Sequence, residues 1–385
     1  MTLRRDRVFW MIALQIGTVN FYLGGFGPAQ PLLRTQQQTS LTIAGLHGTA
    51  MGIAAILAGF AAPKLAHLFG RARTAWLGMA LFCSGVLMFI FSPPVQLTLI
   101  ATLIAGFGVS MVINSTVPQL SHHFPKNPTR ALSQAYGIGS AGYIFGTLSV
   151  GTLAGTTFSW RLGLLTVIPA TGFLYLFFKP NDSAEHIPDE EGPQRGSLNR
   201  KFWIAWFGFI ACISSEFATT FWAAALVRDR VGTSAAISTI SIVAVGGGMG
   251  IGRWFGPSAL KRYSLDHQLK AVILAQFVGF TILWSSHNLW ISIASLLVVG
   301  LGLSMQFSLS SLRLIAFSDG RPDLAIGRSS LAAGTAIACA PFILGVLGDH
   351  LGISRAYLMV PVLILIALAT IIIIPSHQRI VQDAK

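Results

Sequence analysis

Charged side chains are scarce in this sequence. Asp, Glu, Lys and Arg make up 10% of the 385 residues, whereas about 25% is usual for soluble domains. Hydrophobic residues account for 53%, and the mean hydropathy is +0.67. Apolar runs of roughly 20 residues recur along the chain, which is the length that a helix needs to cross a bilayer. The composition therefore excludes an ordinary soluble domain and indicates an all-α membrane protein.

Sequence signatures of an enzyme or of a metal site are also missing. The three cysteines, Cys83, Cys212 and Cys339, are far apart and have neither metal-ligand spacing nor the pattern of a disulfide framework. The glycine-rich segment 246–252 follows no strand and lacks the Lys-Ser/Thr of a phosphate-binding loop. We expect it to pack against other helices. No Walker motif is found, so the chain is predicted to be neither an ATP-driven pump by itself nor an enzyme, and no cofactor or metal is expected.

The chain contains an internal repeat. Residues 106–111 read GFGVSM and residues 300–305 read GLGLSM, 194 positions later. The same offset relates Arg34 to Arg228 and Arg161 to Arg355. One ungapped offset shared by several positions predicts two copies of one unit in the same direction.

Twelve membrane-spanning helices are predicted. They cover 8–32, 42–66, 74–92, 96–120, 131–156, 160–179, 202–227, 235–257, 268–287, 289–314, 327–348 and 356–375. Residues 179–201 form a polar segment rich in charge, Pro, Gly and Ser, which is typical of a flexible linker. The predicted domains are therefore an N-terminal six-helix bundle at 1–178, a cytoplasmic linker at 179–201, and a C-terminal six-helix bundle at 202–385.

The distribution of Lys and Arg predicts the orientation. With the N-terminus inside, 21 of the 26 Lys and Arg residues fall on the inner side, in agreement with the positive-inside rule. Both termini are therefore expected in the cytoplasm, and the protein in the cell membrane. The net charge of +13 is explained by this orientation signal, so no nucleic-acid partner is expected.

The whole chain resembles the major facilitator superfamily. Two six-span units in the same orientation, joined by a cytoplasmic linker, match the architecture of that superfamily. The segment PKLAHLFGRAR (63–73), between spans two and three, resembles its cytoplasmic gating-loop signature, with Gly70 and Arg71 at the matching positions. Pro63 stands where Gly is usual, and His67 where Asp is usual. Trp160-Arg161 at the start of span six is another familiar feature.

A narrower similarity links the chain to fucose-permease-like members. It rests on a Glu in the middle of span seven that is followed by an aromatic residue, and on the segment GRWFG (252–256) at the end of span eight. The superfamily resemblance implies a bundle with a small-molecule substrate, a central cavity lined by spans one, four, seven and ten, and a gating loop containing His67, Gly70 and Arg71. We expect a monomer in the lipid bilayer.

Polar residues at helical spacing occur on one face of each of these four spans. For the glycines on these faces, close helix packing is favoured over a cavity role. For the amides and the carboxylate a cavity is favoured, because burying such groups against lipid is unfavourable. The candidates for substrate binding are Asn20, Tyr22, Asn114, Tyr136, Thr220, Trp222, Gln306, Ser310 and Arg313.

Glu216 is the candidate for proton coupling. Among the 13 acidic residues it is the only one deep inside an apolar segment, where an ionised carboxylate is unfavourable. Hydrocarbon surroundings favour the neutral form of the side chain, and cavity water favours the charged form. The alternatives are direct binding of a polar or cationic solute, and a structural acid tied to a neighbouring helix.

The arginines near the inner ends of the later spans have two interpretations. Arg313 and Arg328 either extend to the membrane interface or form an inner site for an anionic group. Arg253, near the end of span eight, is expected to anchor the following loop.

The sequence thus predicts a secondary active transporter that carries a small polar solute by alternating access, with proton symport as the first choice. Proton-driven efflux of amphipathic compounds is the alternative. Span five reads GYIFGTLSVG (142–151) and has Thr147 where family exporters usually have Pro in a Gly-Pro pair, which disfavours efflux. A sensor on the same fold is disfavoured because the linker and tails leave no room for an output domain.

The orientation can be tested with a cysteine at Asp189 in a chain without its native cysteines. We expect labelling in intact cells only by membrane-permeant thiol reagents, because residue 189 belongs to the cytoplasmic linker. Labelling of this cysteine by an impermeant reagent would contradict the predicted orientation.

Overall fold

The computed structural model describes residues 5–125, 128–179 and 196–376. Regular structure in these ranges is helical throughout. The seventeen helices are α1 (Arg7–Phe26), α2 (Gln30–Gln37), α3 (Leu41–Phe69), α4 (Arg71–Phe91), α5 (Val95–His123), α6 (Pro128–Ala154), α7 (Leu162–Leu165), α8 (Val167–Phe178), α9 (Arg200–Val231), α10 (Ala235–Ser241), α11 (Val243–Ala259), α12 (Leu265–Ser285), α13 (Leu289–Leu303), α14 (Gln306–Ala316), α15 (Pro322–Leu351), α16 (Ile353–Ala356) and α17 (Met359–Ile373).

The helices have the length and composition of membrane spans. Ten helical segments in the described part of the chain are long and apolar enough to cross a bilayer, and Leu162–Phe178 is a shorter apolar segment. The prediction of an all-helical membrane protein is therefore confirmed. Residues 180–195 of the predicted linker lie outside the described residues, as does the position of Asp189.

The internal repeat is visible in the local backbone. Gln38 ends α2 and Gly232 ends α9, and both have left-handed backbone angles, with φ of 51° and 71°. Ser40 caps α3 and Ser234 caps α10, in each case through a side chain that accepts a hydrogen bond from a backbone N–H three residues ahead. Each pair is separated by the same 194 residues. In both copies of the repeat, the residues at equivalent positions end one helix and begin the next in the same way.

Five segments predicted as single spans consist of two helices each. Gly27, Pro28 and Ala29 separate α1 from α2, and Pro28 has no backbone N–H with which to continue the hydrogen bonds of α1. Ser304 and Met305 separate α13 from α14 without any proline. The remaining pairs are α7 with α8, α10 with α11, and α16 with α17.

Helices of the two sequence halves pack closely because small residues face one another. Contacts between the halves are made mainly by α3 with α15 and by α6 with α11. Gly45, Gly48 and Gly52 lie on one face of α3 and touch α15 at Pro341, Phe342 and Ala338. The largest cluster of buried apolar side chains includes residues from both halves, from Phe9 to Ile371.

A carboxylate joins the halves at one side of the molecule. We call this side the α2 face; α2 lies there, α3 begins there and α15 ends there. Asp349 of α15 accepts hydrogen bonds from the backbone N–H groups of Leu41 and Thr42, at 2.8 Å each, and from the Thr42 hydroxyl at 2.6 Å. An acidic group at a helix N-terminus also interacts favourably with the helix dipole. Asp349 therefore fixes the start of α3 against the end of α15.

Glycines also bring α1 and α6 into backbone contact within the first half. A Cβ atom at Gly142 would overlap the carbonyl group of Gly17, and one at Gly146 would overlap that of Phe21. Neither backbone can move aside without shifting a whole helix. The expectation of close helix packing is confirmed at Gly24, Gly27 and Gly302, which lie against Tyr143, Thr220 and Gln276, but not at Gly17, where a Cβ would meet no atom within 4 Å. It is also confirmed at Gly248, which lies against the Leu297 carbonyl of α13.

The substitution Gly142→Leu should prevent α1 and α6 from packing. We expect a loss of at least ~1–3 kcal/mol of stability, because the side chain is forced into a filled space. The measurement is the fraction of monodisperse protein in detergent after heating. Gly59→Leu is the matched control, since a Cβ at Gly59 meets no atom within 4 Å. Equal thermal stability of the two variants would contradict this packing.

Candidate functional site

Arg253 links the two halves in the interior of the molecule. It lies on α11, and its Nη1 donates to the Ser140 Oγ of α6 at 3.1 Å. Its guanidinium carbon lies 5.7 Å from the ring centre of Tyr136, also on α6. In return, the Ser133 hydroxyl donates a hydrogen bond to the backbone carbonyl of Arg253. Arg253 therefore contacts one helix of the first half through three side chains.

The same arginine reaches the interrupted span formed by α13 and α14. Arg253 Nε donates to the Ser304 carbonyl at 3.4 Å, at the point where the helix is broken. Breaks of this kind within a membrane are tolerated where the backbone is covered by protein or lines a cavity. The guanidinium thus donates a hydrogen bond to a backbone carbonyl at the break, and its positive charge stays in the interior of the molecule.

Glu216 is the second charged group at this position. It lies in the middle of α9, its side chain is partly exposed, and it interacts electrostatically with Arg253 and with Tyr143. Among the described residues, none forms an ion pair within 4.0 Å or a side-chain hydrogen bond with Glu216. The carboxylate therefore interacts with the charge of Arg253 without being held by an ion pair or a hydrogen bond.

Two further polar groups complete what we call the central polar cluster. The Asn20 amide of α1 packs against Gly139 of α6, and Tyr143 of α6 packs against Gly246 of α11. Asn20 Nδ2 and the Tyr143 hydroxyl are buried and have no hydrogen-bond partner among the described residues. The cluster consists of Asn20, Tyr136, Ser140, Tyr143, Glu216 and Arg253.

The cluster has the groups needed to bind a polar solute and to hold a proton. Unpaired buried donors and acceptors are unfavourable unless a ligand or water satisfies them. A carboxylate beside a guanidinium can be neutral or charged, according to the surrounding water. Three of the residues predicted from sequence, Asn20, Tyr136 and Glu216, belong to this cluster.

Two predicted substrate-binding residues have no described contact to the cluster. Thr220 is one helical turn from Glu216 on α9, and its hydroxyl donates to the Phe217 carbonyl at 3.4 Å. Asn114 is partly exposed on α5. Both stay candidates for contact with a solute.

Gln306 and Ser310 face into the second half instead of a cavity. Gln306 Nε2 donates to Gln276 Oε1 at 2.7 Å, and Gln276 Nε2 donates to the Ser215 hydroxyl at 3.1 Å. Ser310 lies 3.7 Å from the Cys212 sulfur. These side chains form a polar network between α9, α12 and α14, so their position revises the expectation that this face of span ten lines the cavity.

Arg313 is also placed differently from both sequence interpretations. Its side chain is buried, and its Nε forms an ion pair with Asp266 Oδ1 at 3.1 Å. It also donates to the carbonyls of Thr370, at 3.0 Å, and Ile374. Arg313 thus joins α14 to the start of α12 and the end of α17, and it does not extend to the interface. The cavity that it lines together with Ser310 has a volume of about 10 Å³, which is too small for a solute. Arg328 is exposed on α15.

Two predicted aromatic residues are enclosed in protein. Tyr22 is fully buried and stacks on Phe26 with ring centres 5.1 Å apart. Trp222 is fully buried and donates from Nε1 to the Pro341 carbonyl at 2.9 Å. The apolar surface of both rings stabilises helix packing, which revises the expectation that Trp222 contacts the substrate. The Tyr22 hydroxyl has no hydrogen-bond partner among the described residues, so Tyr22 stays a candidate for contact with a solute.

The predicted gating loop is a tight turn between α3 and α4. Gly70 has φ of +84°, a backbone angle that favours glycine, and it both ends α3 and precedes α4. Arg71 is buried, and its Nη1 lies 3.1 Å from His122 Nδ1 at the end of α5. His67 is exposed one turn earlier. The structure therefore brings Gly70 and Arg71 into a turn that packs on α5.

Arg253, Ser140 and Tyr143 were not among the predicted site residues. Arg253 was assigned to the end of its span, yet α11 continues for six more residues to Ala259. The signal available in the sequence was the predicted end of span eight at residue 257, four residues beyond Arg253, because an arginine one turn inside a span lies deeper in the membrane than one at its end. No group of three or more His, Cys, Asp or Glu residues that could hold a metal occurs in the part of the chain that the structure describes.

The fold is shared with solved transporters. A variant of the nucleoside transporter NupG aligns with a TM-score of 0.76 and 13% identity, over 95% of this chain and 99% of that one. A bacterial homologue of the human lysosomal transporter Spinster, in an inward-facing and occupied conformation, aligns with a TM-score of 0.75 and 13% identity, over 97% of each chain. At this identity the likeness concerns the fold alone.

The sequence itself matches one family model. No curated protein sequence matches the chain. The model that describes the Major Facilitator Superfamily matches residues 9–312, which is well over half of the 385 residues. The chain therefore belongs to the Major Facilitator Superfamily, and it is a membrane transporter and not an enzyme.

Proposed function

We propose that the chain is a secondary active transporter that moves a small polar solute by alternating access, coupled to protons through Glu216. The observation that carries this proposal is the position of Glu216 in mid-span, partly exposed, beside Arg253 and without an ion pair among the described residues. A coupling group has to be charged in one state of the cycle and neutral in another.

The proposed topology has twelve spans in two bundles. Each of the five interrupted segments counts as one span, and α3, α4, α5, α6, α9, α12 and α15 each form another. Residues 1–178 and 202–385 would form the two six-helix bundles, with 179–201 as the linker. The repeated helix end and start at Gln38/Ser40 and Gly232/Ser234 support two equivalent units.

The proposed location is the cell membrane, with both termini in the cytoplasm. The α2 face is then the outer side, and the Arg71 turn lies on the inner side. Support comes from the excess of Lys and Arg on the inner side. We propose that one chain is sufficient for transport, since each monomer contains both halves and the central polar cluster.

The proposed solute is polar and contacts Asn20, Tyr136, Tyr143 and Arg253, with Asn114 and Thr220 nearby. The unpaired Asn20 amide and Tyr143 hydroxyl support this choice, because a solute with donors and acceptors would satisfy both. A nucleoside, the solute class in the name of one structural neighbour, has such groups and is the first compound class to test.

Glu216→Gln should abolish accumulation against a gradient and leave exchange of solute across the membrane intact. The amide keeps the shape of the side chain and cannot release a proton. Accumulation is measured as uptake into liposomes with an imposed pH gradient. Exchange is measured as counterflow of solute in liposomes without a gradient. Glu216→Asp should retain partial activity with a changed pH optimum. Normal pH-driven accumulation by Glu216→Gln would mean that another group carries the proton, and accumulation only with the opposite gradient would support efflux.

Arg313 should affect stability and not solute binding. Removing one partner of a buried ion pair costs about 3–5 kcal/mol because it leaves an uncompensated charge, so Asp266→Asn should lower the melting temperature sharply. The double variant Asp266→Leu/Arg313→Met should recover part of the loss, because both charges are removed.

Solute affinity of the folded double variant is the deciding measurement. An affinity equal to that of the unmodified chain would agree with the buried position of Arg313. Loss of binding with recovered stability would return Arg313 to the substrate site.

A further inference from the structure

A large cavity opens on the α2 face, away from the central polar cluster. Its volume is about 820 Å³, which is within the range of small-molecule sites. Residues of both halves line it, including Arg34 and Thr39 from the first half and Arg228 and Gly348 from the second. The cavity therefore exists where the two halves meet.

The two arginines occupy equivalent positions in the internal repeat. Each lies four residues before a left-handed helix end, Gln38 for Arg34 and Gly232 for Arg228, and its carbonyl accepts a hydrogen bond from the backbone N–H of that end residue. This shared geometry brings one guanidinium from each half to a single cavity. Both side chains are exposed to solvent.

Both guanidinium groups keep free donors. Arg34 Nε donates to the Thr39 carbonyl at 3.1 Å, which orients the side chain and leaves its two terminal nitrogens available. Arg228 makes no side-chain hydrogen bond or ion pair with any residue that the structure describes. An arginine with two free terminal nitrogens can bind an oxyanion through two parallel hydrogen bonds.

The carboxylates near the cavity are engaged elsewhere. Asp229 also lines the cavity, and its Oδ2 accepts a hydrogen bond from the Ser354 hydroxyl at 2.6 Å. Asp349 is bound to the start of α3. The cavity therefore has two guanidinium groups from opposite halves and one carboxylate, that of Asp229, which forms no ion pair with either arginine in the described residues. The excess positive charge is an arrangement that an anion would stabilise.

We propose that this cavity is a binding site for a small oxyanion, a carboxylate or a phosphate, held between Arg34 and Arg228. Because its two ligating groups come from different halves, the anion binds best when the halves are together on the α2 face. Bound anion therefore favours that arrangement. The inference does not rest on proton coupling or on the identity of the transported solute.

The test is the melting temperature of the purified full chain in nanodiscs of neutral lipid, titrated with sodium phosphate. Sodium chloride keeps the ionic strength constant. We expect the melting temperature to rise with phosphate, because a ligand of the folded state stabilises it. Arg34→Gln and Arg228→Gln should each weaken the apparent phosphate affinity about tenfold or more, and Arg34→Lys/Arg228→Lys should have an intermediate effect because it keeps the charge.

Arg355→Gln is the matched control, since Arg355 is another exposed arginine, in α16, and does not line the cavity. It should leave the phosphate response unchanged. A second arm uses nanodiscs with anionic lipid and no phosphate. If anionic lipid raises the melting temperature and this rise requires Arg34 and Arg228, the oxyanion is a lipid headgroup. If free phosphate raises the melting temperature in neutral lipid, the oxyanion is a solute. If the double variant Arg34→Gln/Arg228→Gln responds in both arms as the unmodified chain does, the proposal is overturned.

Discussion

Hydrocarbon offers no hydrogen-bond partner, so each polar group within the membrane has to find one inside the protein. Several side chains of the second half follow this constraint. Arg313 is paired with Asp266 and two backbone carbonyls, Trp222 with the Pro341 carbonyl, and Gln306 with Gln276. The central polar cluster departs from it, because the Asn20 amide and the Tyr143 hydroxyl stay unpaired and Glu216 has no ion pair among the described residues. Other buried atoms without a partner, such as Gln15 Oε1, Gln119 Oε1 and Ser292 Oγ, lie elsewhere in the described residues. The central polar cluster differs from them because it combines unpaired groups with a carboxylate and a guanidinium.

Close helix packing sets the distances across the cluster. Glycines let α1 approach α6 until backbone meets backbone, and Gly246 and Gly250 let α11 approach Tyr143 and Ser140 of α6. Arg253 can therefore span from one half to the other with a single side chain. Larger residues at these positions would separate the helices, and the guanidinium would no longer reach Ser140.

The membrane class, the helical fold and the family could be predicted from sequence, because composition, repeat offset and long apolar runs are properties of the whole chain. The helix breaks could not. GFGVSM lies in the continuous helix α5, whereas its repeat GLGLSM ends in the break between α13 and α14. The helix break is therefore caused by contacts with other helices and not by the local sequence. Glu216 could be found because it is isolated in an apolar segment.

The polar face of span ten shows why part of the site was missed. Gly302, Gln306, Ser310 and Arg313 were grouped by helical spacing, and Gly302, Gln306 and Arg313 do face one helix, α12, at Gln276 and Asp266. A single helix pattern shows that polar residues share a face, but it does not show whether water or another polar helix covers them. Arg253 was missed for a related reason, since its partners Ser140 and Ser304 belong to distant segments.

The contact of Asp349 with the start of α3 has a consequence for reversibility. Its hydrogen bonds end on backbone N–H groups and a hydroxyl at the edge of the bundle, where water can take the place of the carboxylate. Replacing an internal hydrogen bond by one to water changes the free energy by only about 0.5–1.5 kcal/mol. The three Asp349 bonds therefore contribute only part of the free energy that holds the halves together on the α2 face. The rest comes from the packing of α3 on α15, where glycines and other small residues are in direct contact. Opening of this face has to separate that packing, so the carboxylate sets which ends of α3 and α15 meet and does not by itself decide how readily they separate.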